Sequence, residues 1–303
     1  MNETLAGLEQ NVAEMASQAP PVLKVGLIGA GRVGIALSRS LQNHGHSIIA
    51  ANAISEKSQK RVHEFLPATD LQEIENLIEN VQTVLFAVPD DVLPDLVRGI
   101  AHTIGFKKHQ FVIHTSGRFG IDVLAPATLQ GALPMAIHPA MTFTGAPNDV
   151  DRIVGCPFAI TTTDELLPIA AALVLNMGGR EYVVAEKDRA LYHAALSHAA
   201  NHSSIVVNQA TSILQEIGIE DPGLFLSPLV NAAIENSLTM GIDALTGPIV
   251  RGDVETVRAH LLALGDTEVQ KTYRTIAVAT VNRLHQLGKL SNSVTKELLE
   301  VLQ

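Results

Sequence analysis

The 303-residue sequence contains a single cysteine, Cys156. No intramolecular disulfide can form, which fits the reducing cytosol. Basic charge is also scarce: 21 Lys and Arg against 31 Asp and Glu leave a formal net charge of −10. That balance argues against nucleic acid as a partner, because binding a phosphate backbone needs a basic surface. An anionic cofactor stays within reach where backbone N–H groups and a few local cations hold it. Pro and Gly are not in excess, so extended disorder is not expected. No apolar run reaches membrane-spanning length. No basic stretch followed by an apolar core opens the chain, so no secretory signal is read there. A soluble, cytoplasmic protein is expected, without membrane attachment.

What is present is a hydrophobic fraction of 47%, enough at this length for two domains with cores of their own. Leu5, Leu8, Val12 and Met15 are spaced like one face of a short helix that Ala19-Pro20-Pro21 ends. Residues 1–20 read as a loosely attached tail. From Val22 to about Ala185, short apolar runs alternate with helical periodicity, the pattern of βαβ units around a parallel sheet. Strands are expected at 24–28, 47–53, 81–88, 110–114, 133–137, 157–161 and 180–184. Helices are expected to begin near Arg32, Ser58, Val92, Ile121 and Asp164. After Ala185 no run reads clearly as a strand. One long helix is expected from about Glu186 to Ile217, with Gly218 past its end and later helix starts at Asp221-Pro222 and Asp253. The expected fold is α/β: an N-terminal Rossmann domain (21–185) with a doubly wound, mostly parallel sheet, then an all-α C-terminal domain (186–303).

Residues 24–34 carry the most specific motif. Gly29, Gly31 and Gly34 form G-x-G-x-x-G between an apolar strand and an amphipathic helix. The first glycine permits a tight turn, the second lets backbone approach a pyrophosphate, and the third lets helix and strand pack closely. Gly29, Ala30, Gly31, Arg32, Val33 and Gly34 are therefore expected to hold a dinucleotide. The next strand runs into Asn52-Ala53-Ile54-Ser55-Glu56-Lys57-Ser58. Ser55, Lys57 and Ser58 suit a 2′-phosphate, whereas Glu56 suits the ribose of NAD. The basic and hydroxyl residues outnumber the acid, which favours NADP over NAD. Val88 and Pro89 end another strand at the carboxyl edge of the sheet, where ligands bind in open α/β folds. They are expected beside the nicotinamide ribose.

The glycine motif together with Phe86-Ala87-Val88-Pro89-Asp90 resembles the 6-phosphogluconate dehydrogenase-like superfamily. That group includes pyrroline-carboxylate reductases, ketopantoate reductases, prephenate dehydrogenases and coenzyme F420-dependent NADP oxidoreductases. The remainder is most similar to Rossmann-like proteins whose C-terminal half is called domain of unknown function 2520. The matching segments are His114–Gly117, His138–Phe143, Tyr192–Ala195 with Asn201, and Leu245–Asp253. The resemblance implies an NAD(P)-dependent oxidoreductase whose helical domain pairs in a homodimer, which the apolar helices after residue 220 suit. Two segments also resemble prephenate dehydrogenase, where a serine after the fifth strand and a His-Pro after the sixth meet the substrate's reacting hydroxyl. Ser116 and His138 hold those positions. The lysine that follows the serine there is absent, and Arg118 stands nearby, which argues against prephenate itself.

Hydride transfer to a carbonyl or imine needs a proton donor, and usually a cation for the substrate's carboxylate. His138 titrates near neutrality in its ordinary state and suits the donor role, the plainer reading being a loop histidine capping a carbonyl. On the long helix His193, Ser197, Asn201, Ser204 and Asn208 recur at steps of four, four, three and four, which puts them on one face. That stripe carries no Lys or Glu, so a polar cleft facing the nicotinamide is expected, with His193 and Asn201 as its best members. Lys187 is either the lysine that related reductases use near this helix or a solvated residue at its start. Arg251 is either a carboxylate clamp or the partner of an acid in a structural turn. His198 and His202 have zinc-ligand spacing, yet no third ligand is evident, and no metal is expected. Cys156 has no adjacent base and is given no catalytic role. The expected activity is hydride exchange with a small keto or imino substrate, carboxylate-bearing. The rival is a regulatory protein that senses NADPH without turning it over.

Overall fold

The computed structural model describes residues 22–303; the tail reading of 1–20 lies outside them. The chain divides into two compact units, one ending at Leu196 and the other covering Ser197–Gln303.

The first unit is built on eight strands: β1 (Lys24–Ile28), β2 (Ser47–Asn52), β3 (Asp70–Leu71), β4 (Thr83–Phe86), β5 (Phe111–His114), β6 (Leu133–Pro139), β7 (Pro157–Thr162) and β8 (Arg180–Val183). Their order across the sheet is β3-β2-β1-β4-β5-β6-β7-β8. Every pairing is parallel except β6 with β7, which is antiparallel. Strand order reverses between β1 and β4, so the carboxyl ends of those two strands form the crevice that Rossmann sheets use for ligands.

Between the strands lie α1 (Arg32–Asn43), α2 (Glu56–Phe65), α3 (Ile74–Asn80), α4 (Leu93–Thr103), α5 (Ala125–Thr128) and α6 (Leu167–Asn176). Side chains alternate across a strand, and here β1, β2, β4 and β5 each feed two cores. Val25, Leu27, Leu85, Ile113 and Met135 join α1 and α6 in one. Ile28, Val84, Phe86 and Val112 join α3 and α4 in the other. Full burial of such a side chain stabilises by about 1.5–3 kcal/mol, so a one-residue slip of register would strand both faces at once.

The seven expected strands are all present, with ends shifted by a residue or two. β6 runs on to Pro139, which places His138 inside the strand, paired with Ala159 of β7. β3 was not expected, nor was α3. Two further corrections concern the chain beyond Val184. A 3₁₀ turn at Glu186–Asp188 precedes α7 (Arg189–Ser197), and the first unit runs on through both to Leu196, with Arg189 buried against β6 and β7. A π-turn at His198–His202 then interrupts the expected single helix before α8 (Ser203–Glu216).

The second unit is helical. After α8 come α9 (Pro222–Met240), α10 (Pro248–Arg251), α11 (Val254–Leu264), α12 (Glu268–Gln286) and α13 (Asn292–Leu302). Asp253 caps α11 by accepting from the Thr256 N–H, as its position suggested. Val257, Leu261, Ala277, Val281, Leu284 and Leu298 from α11, α12 and α13 form its core.

Candidate functional site

Three glycines shape the turn after β1, for different physical reasons. Gly29 has φ +97°, and a Cβ on it would stand 2.6 Å from the Ala87 carbonyl oxygen. A Cβ on Gly34 would run into the Gly29 carbonyl. These two are set by packing. Gly31 is not: its nearest neighbour to a built Cβ is Ala87 O at 4.0 Å, so the fold would accept a side chain there. Gly31 is also the N-cap of α1 and supplies no side-chain cap. The first N–H groups of α1 face the turn, an arrangement that favours an anion. Ala30 is buried in the first core and Val33 packs against it, so either could meet a ligand only through backbone. Val88 and Pro89 follow β4 directly. Val88 Cγ1 lies against the Gly29 position, and the Pro89 carbonyl accepts from Val92 and Leu93 N–H at the start of α4.

Beside the turn, at the carboxyl end of β2, a cleft of about 600 Å³ is lined by Arg32, Lys57, Lys60, Arg61, Glu56 and Glu64, among others. Four cations outnumber two acids there. Lys60 and Arg61 were not singled out from sequence, although their spacing of three and four from Lys57 puts them on its helix face. Arg32 also donates from Nη1 to the Phe143 carbonyl at 3.4 Å. Ser55 and Ser58, also at this edge, are bonded to each other, the first exposed and the second half-buried. Ser55 Oγ caps α2 by accepting from Ser58 N at 3.2 Å, and Ser58 Oγ donates to the Ser55 carbonyl at 2.7 Å.

A second cluster gathers where β5 and β6 end. His114 is fully buried; its Nδ1 accepts from the Ser116 N–H at 3.1 Å and its Nε2–H donates to the Gly120 carbonyl at 2.7 Å. Burial, countered in part by the Gly120 bond, pushes its pKa down to about 4. This neutral ring is a brace for the 115–120 loop. Ser116 Oγ accepts from Arg118 and Phe119 N–H at 3.1 and 3.2 Å. Glu186 holds the far end of the loop, its Oε2 accepting from Ile121 N at 2.6 Å.

His138 Nδ1 is 2.9 Å from Tyr192 Oη, with the rings edge to face at 5.7 Å. The His193 ring lies 6.2 Å from the His138 ring. Gly117 is wedged against both: a Cβ there would stand 2.9 Å from His138 Nε2 and from His193 Cδ2. Burial, then the charges of Arg189, His193 and His114, lower the His138 pKa to about 3. That corrects the expectation of a histidine titrating near neutrality: His138 is a neutral imidazole at physiological pH. Arg189 is 1% exposed and donates to Thr161 Oγ1, Ala136 O and Ala159 O at 2.7, 3.0 and 3.1 Å. Burial lowers its pKa to about 10, so it keeps its charge.

The structure thus brings His138, His193 and the Ser116–Gly117 loop together. Lys187 is exposed on the 3₁₀ turn before α7. Asn201 lies in the π-turn and Arg251 ends α10; both are exposed residues of the second unit. Tyr192 and Arg189 were missed as site residues, although Tyr192 adjoins His193 and Arg189 precedes His193 by one helical turn. His198 and His202 hydrogen-bond to each other at 2.8 Å. Cys156 is buried, which raises its thiol pKa to about 11.

The sheet order and the glycine turn define a Rossmann-type α/β protein with a helical second unit. Residues 9–139 match the family described as Rossmann-like domain, and residues 156–280 match the domain of unknown function 2520. The chain thus carries a Rossmann-like domain followed by a domain of unknown function 2520. No curated protein matches it. Among solved structures it is similar to a protein described as an NADP oxidoreductase from Bacteroides fragilis: 20% identity, TM-score 0.74, covering 86% of this chain and 98% of the other. A pyrroline carboxylate reductase from Plasmodium falciparum with NADP bound gives 13% identity and a TM-score of 0.53, over 92% and 95%. An imine reductase variant from Myxococcus stipitatus in complex with NAD⁺ gives 17% and 0.55, over 92% and 100%.

Proposed function

We propose that the chain is an NAD(P)-dependent oxidoreductase that moves a hydride between the nicotinamide and a small keto or imino substrate bearing a carboxylate. The observation that carries this reading is the pair of spaces beside α1. Room is left over Gly31, where a Cβ would meet nothing closer than 4.0 Å, and four cations line the adjoining cleft. The residues present fit a dinucleotide: N–H groups of the 29–34 turn for the pyrophosphate, and Arg32, Lys57, Lys60 and Arg61 for a 2′-phosphate. NADP is therefore the preferred cofactor. The similar structures support this, since one is described by its NADP chemistry, one holds NADP and one holds NAD⁺.

When bound, the reduced cofactor supplies the hydride. Ser116, His138 and His193 stand at the ends of β5 and β6 on the cofactor side of the sheet and would meet the reacting group. As a neutral imidazole His138 donates or accepts a hydrogen bond and brings no charge of its own. Lys187 is assigned to the rim of the site. The same reading includes a homodimer formed by the helical unit and a cytoplasmic setting. Among the described residues no helix is long and apolar enough to cross a membrane.

Titration with NADPH and with NADH tests the cofactor, and reduction of cyclic imines and 2-keto acids tests the chemistry. Tight NADPH binding with turnover of at least one class is expected. Failure of both dinucleotides to bind at millimolar concentration would end this reading; binding without turnover of any carbonyl or imine would favour a sensor.

A further inference from the structure

Each hydride delivered to a C=N or C=O carbon needs a proton on the neighbouring atom, and His138 carries no spare one at neutral pH. Its surroundings show where the proton comes from. Nδ1 of His138 is 2.9 Å from the Tyr192 hydroxyl. Nε2 faces Gly117, beyond which lies the His193 ring, 6.2 Å away and inclined by 72°. His193, His138 and Tyr192 therefore stand in a row, all three partly exposed. Only a glycine fits between the two imidazoles. Across the Tyr192 ring, 5.8 Å from its centroid, sits the Arg189 guanidinium. That cation is buried, forms no ion pair within 4 Å among the described residues, and leaves its Nη1 without a hydrogen-bond partner. The Glu186 carboxylate acts on it from beyond ion-pair distance, and a buried charge without a close counter-ion is costly. Burial raises the Tyr192 pKa and the Arg189 charge offsets that in part; a phenol that gives up its proton beside Arg189 becomes its close counter-ion.

We propose, resting on the hydride-transfer reading, that Tyr192 is the catalytic acid, that Arg189 stabilises its tyrosinate, and that His138 and His193 return the proton from solvent. In the resting site His138 Nδ1–H donates to Tyr192 Oη, which frees the phenol proton for the substrate. As the substrate gains its hydride, the Tyr192 O–H bond breaks and an N–H or O–H bond forms on the substrate. The substrate is reduced and Tyr192 is left as an anion. His138 then gives its Nδ1 proton to Tyr192 while its Nε2 takes one from the His193 side through water. The imidazole is neutral before and after, consistent with burial that lowers its pKa to about 3, but it leaves the step as the Nε2–H tautomer. Once product departs, the relay runs back with water in the substrate's place and restores Nδ1–H.

Tyr192→Phe removes one oxygen and keeps the ring. In the free protein, ¹⁵N resonances of His138 should shift in this variant, while those of His114, held by Ser116 and Gly120, should not. NADPH affinity, read by fluorescence, should stay within twofold. Reduction of 1-pyrroline or pyruvate, whichever the native protein turns over, should slow about 10²–10⁴-fold, the usual contribution of a general acid. His138→Asn keeps an N–H near the Nδ1 position but cannot relay, and should fall between native and Tyr192→Phe. Unchanged His138 resonances in Tyr192→Phe, or undiminished turnover, overturns the assignment and leaves hydride transfer standing. A native protein that does not bind NADPH removes the reading on which the proposal rests.

Discussion

Gly31 and Gly117 stand at the site for opposite reasons, and alanine separates them. Gly31→Ala meets no neighbour in the fold, so thermal stability should be unchanged while the methyl occupies the path of the pyrophosphate. Loss of NADPH binding with an unaltered melting curve is the expected result; unaltered affinity would move the cofactor site elsewhere. The buried histidines lead to a pH prediction at the same scale. Folding holds His114 near 4 and His138 near 3, against about 6.5 unfolded. Below pH 6.5 the unfolded chain binds protons that the folded one refuses, so stability is full above 6.5 and is lost as pH falls towards 4. Each ring contributes a slope of about 1.4 kcal/mol per pH unit within that window. Amide exchange of Ile113 and Met135 should therefore quicken at pH 5 relative to pH 7 beyond the intrinsic pH effect. His114→Asn should flatten the trend; equal protection at both pH values would contradict the neutral assignment.

At the scale of elements, the legible part of the fold came from strong periodicity and from the motif between β1 and α1. Strands buried on both faces appear as continuous apolar runs, as β1, β4 and β7 do, whereas β8 is exposed along its length. β3 did not stand out, because two residues carry no pattern; Asp70 and Leu71 are strand only by pairing with Ala50 and Ala51 of β2. The polar stripe from His193 to Asn208 assumed an unbroken α-helix. The π-turn at His198–His202 interrupts that helix, so a spacing counted at about 3.6 residues per turn cannot be carried across it. Only His193 among its members is placed beside His138 by the observed contacts. No sequence pattern announces such a turn. Tyr192 and Arg189 were overlooked for another cause: their contacts are with residues of β6 and β7 far away in sequence, a tertiary fact. The cations of α2 were legible but undercounted. Lys57, Lys60 and Arg61 share a helix face lining the cleft with Arg32, so Lys57→Ala with Arg61→Ala should cut NADPH affinity by more than tenfold and leave NADH nearly unmoved. The native preference for NADPH should shrink with added salt, as exposed charges are screened. Equal losses for both dinucleotides would place these cations away from the 2′-phosphate.

At the scale of the whole molecule, α9 poses the clearest physical problem. Its nineteen residues include no buried one, yet Leu224, Phe225, Leu229 and Leu238 are 76, 62, 69 and 83% exposed. At 100° per residue these four side chains, with Ile234 and Met240, point around most of the helix circumference. A helix that is apolar all round belongs in a core. α8 repeats the pattern, with Ile205 and Val206 exposed and no buried residue. Water is a poor solvent for that much contiguous apolar surface. A second copy offering the same two helices is the occupant that supplies matching apolar area in a closed, self-complementary arrangement. The native protein should therefore run as a dimer at micromolar concentration in light scattering. Leu229→Asp combined with Leu238→Asp should yield a monomer or a destabilised, aggregating chain, since each charge would otherwise be buried unpaired. Dinucleotide binding should survive in any monomer that stays folded, because the turn and cleft proposed to hold the cofactor lie wholly in the first unit. A native protein that is monomeric across the micromolar range would rule the dimer out.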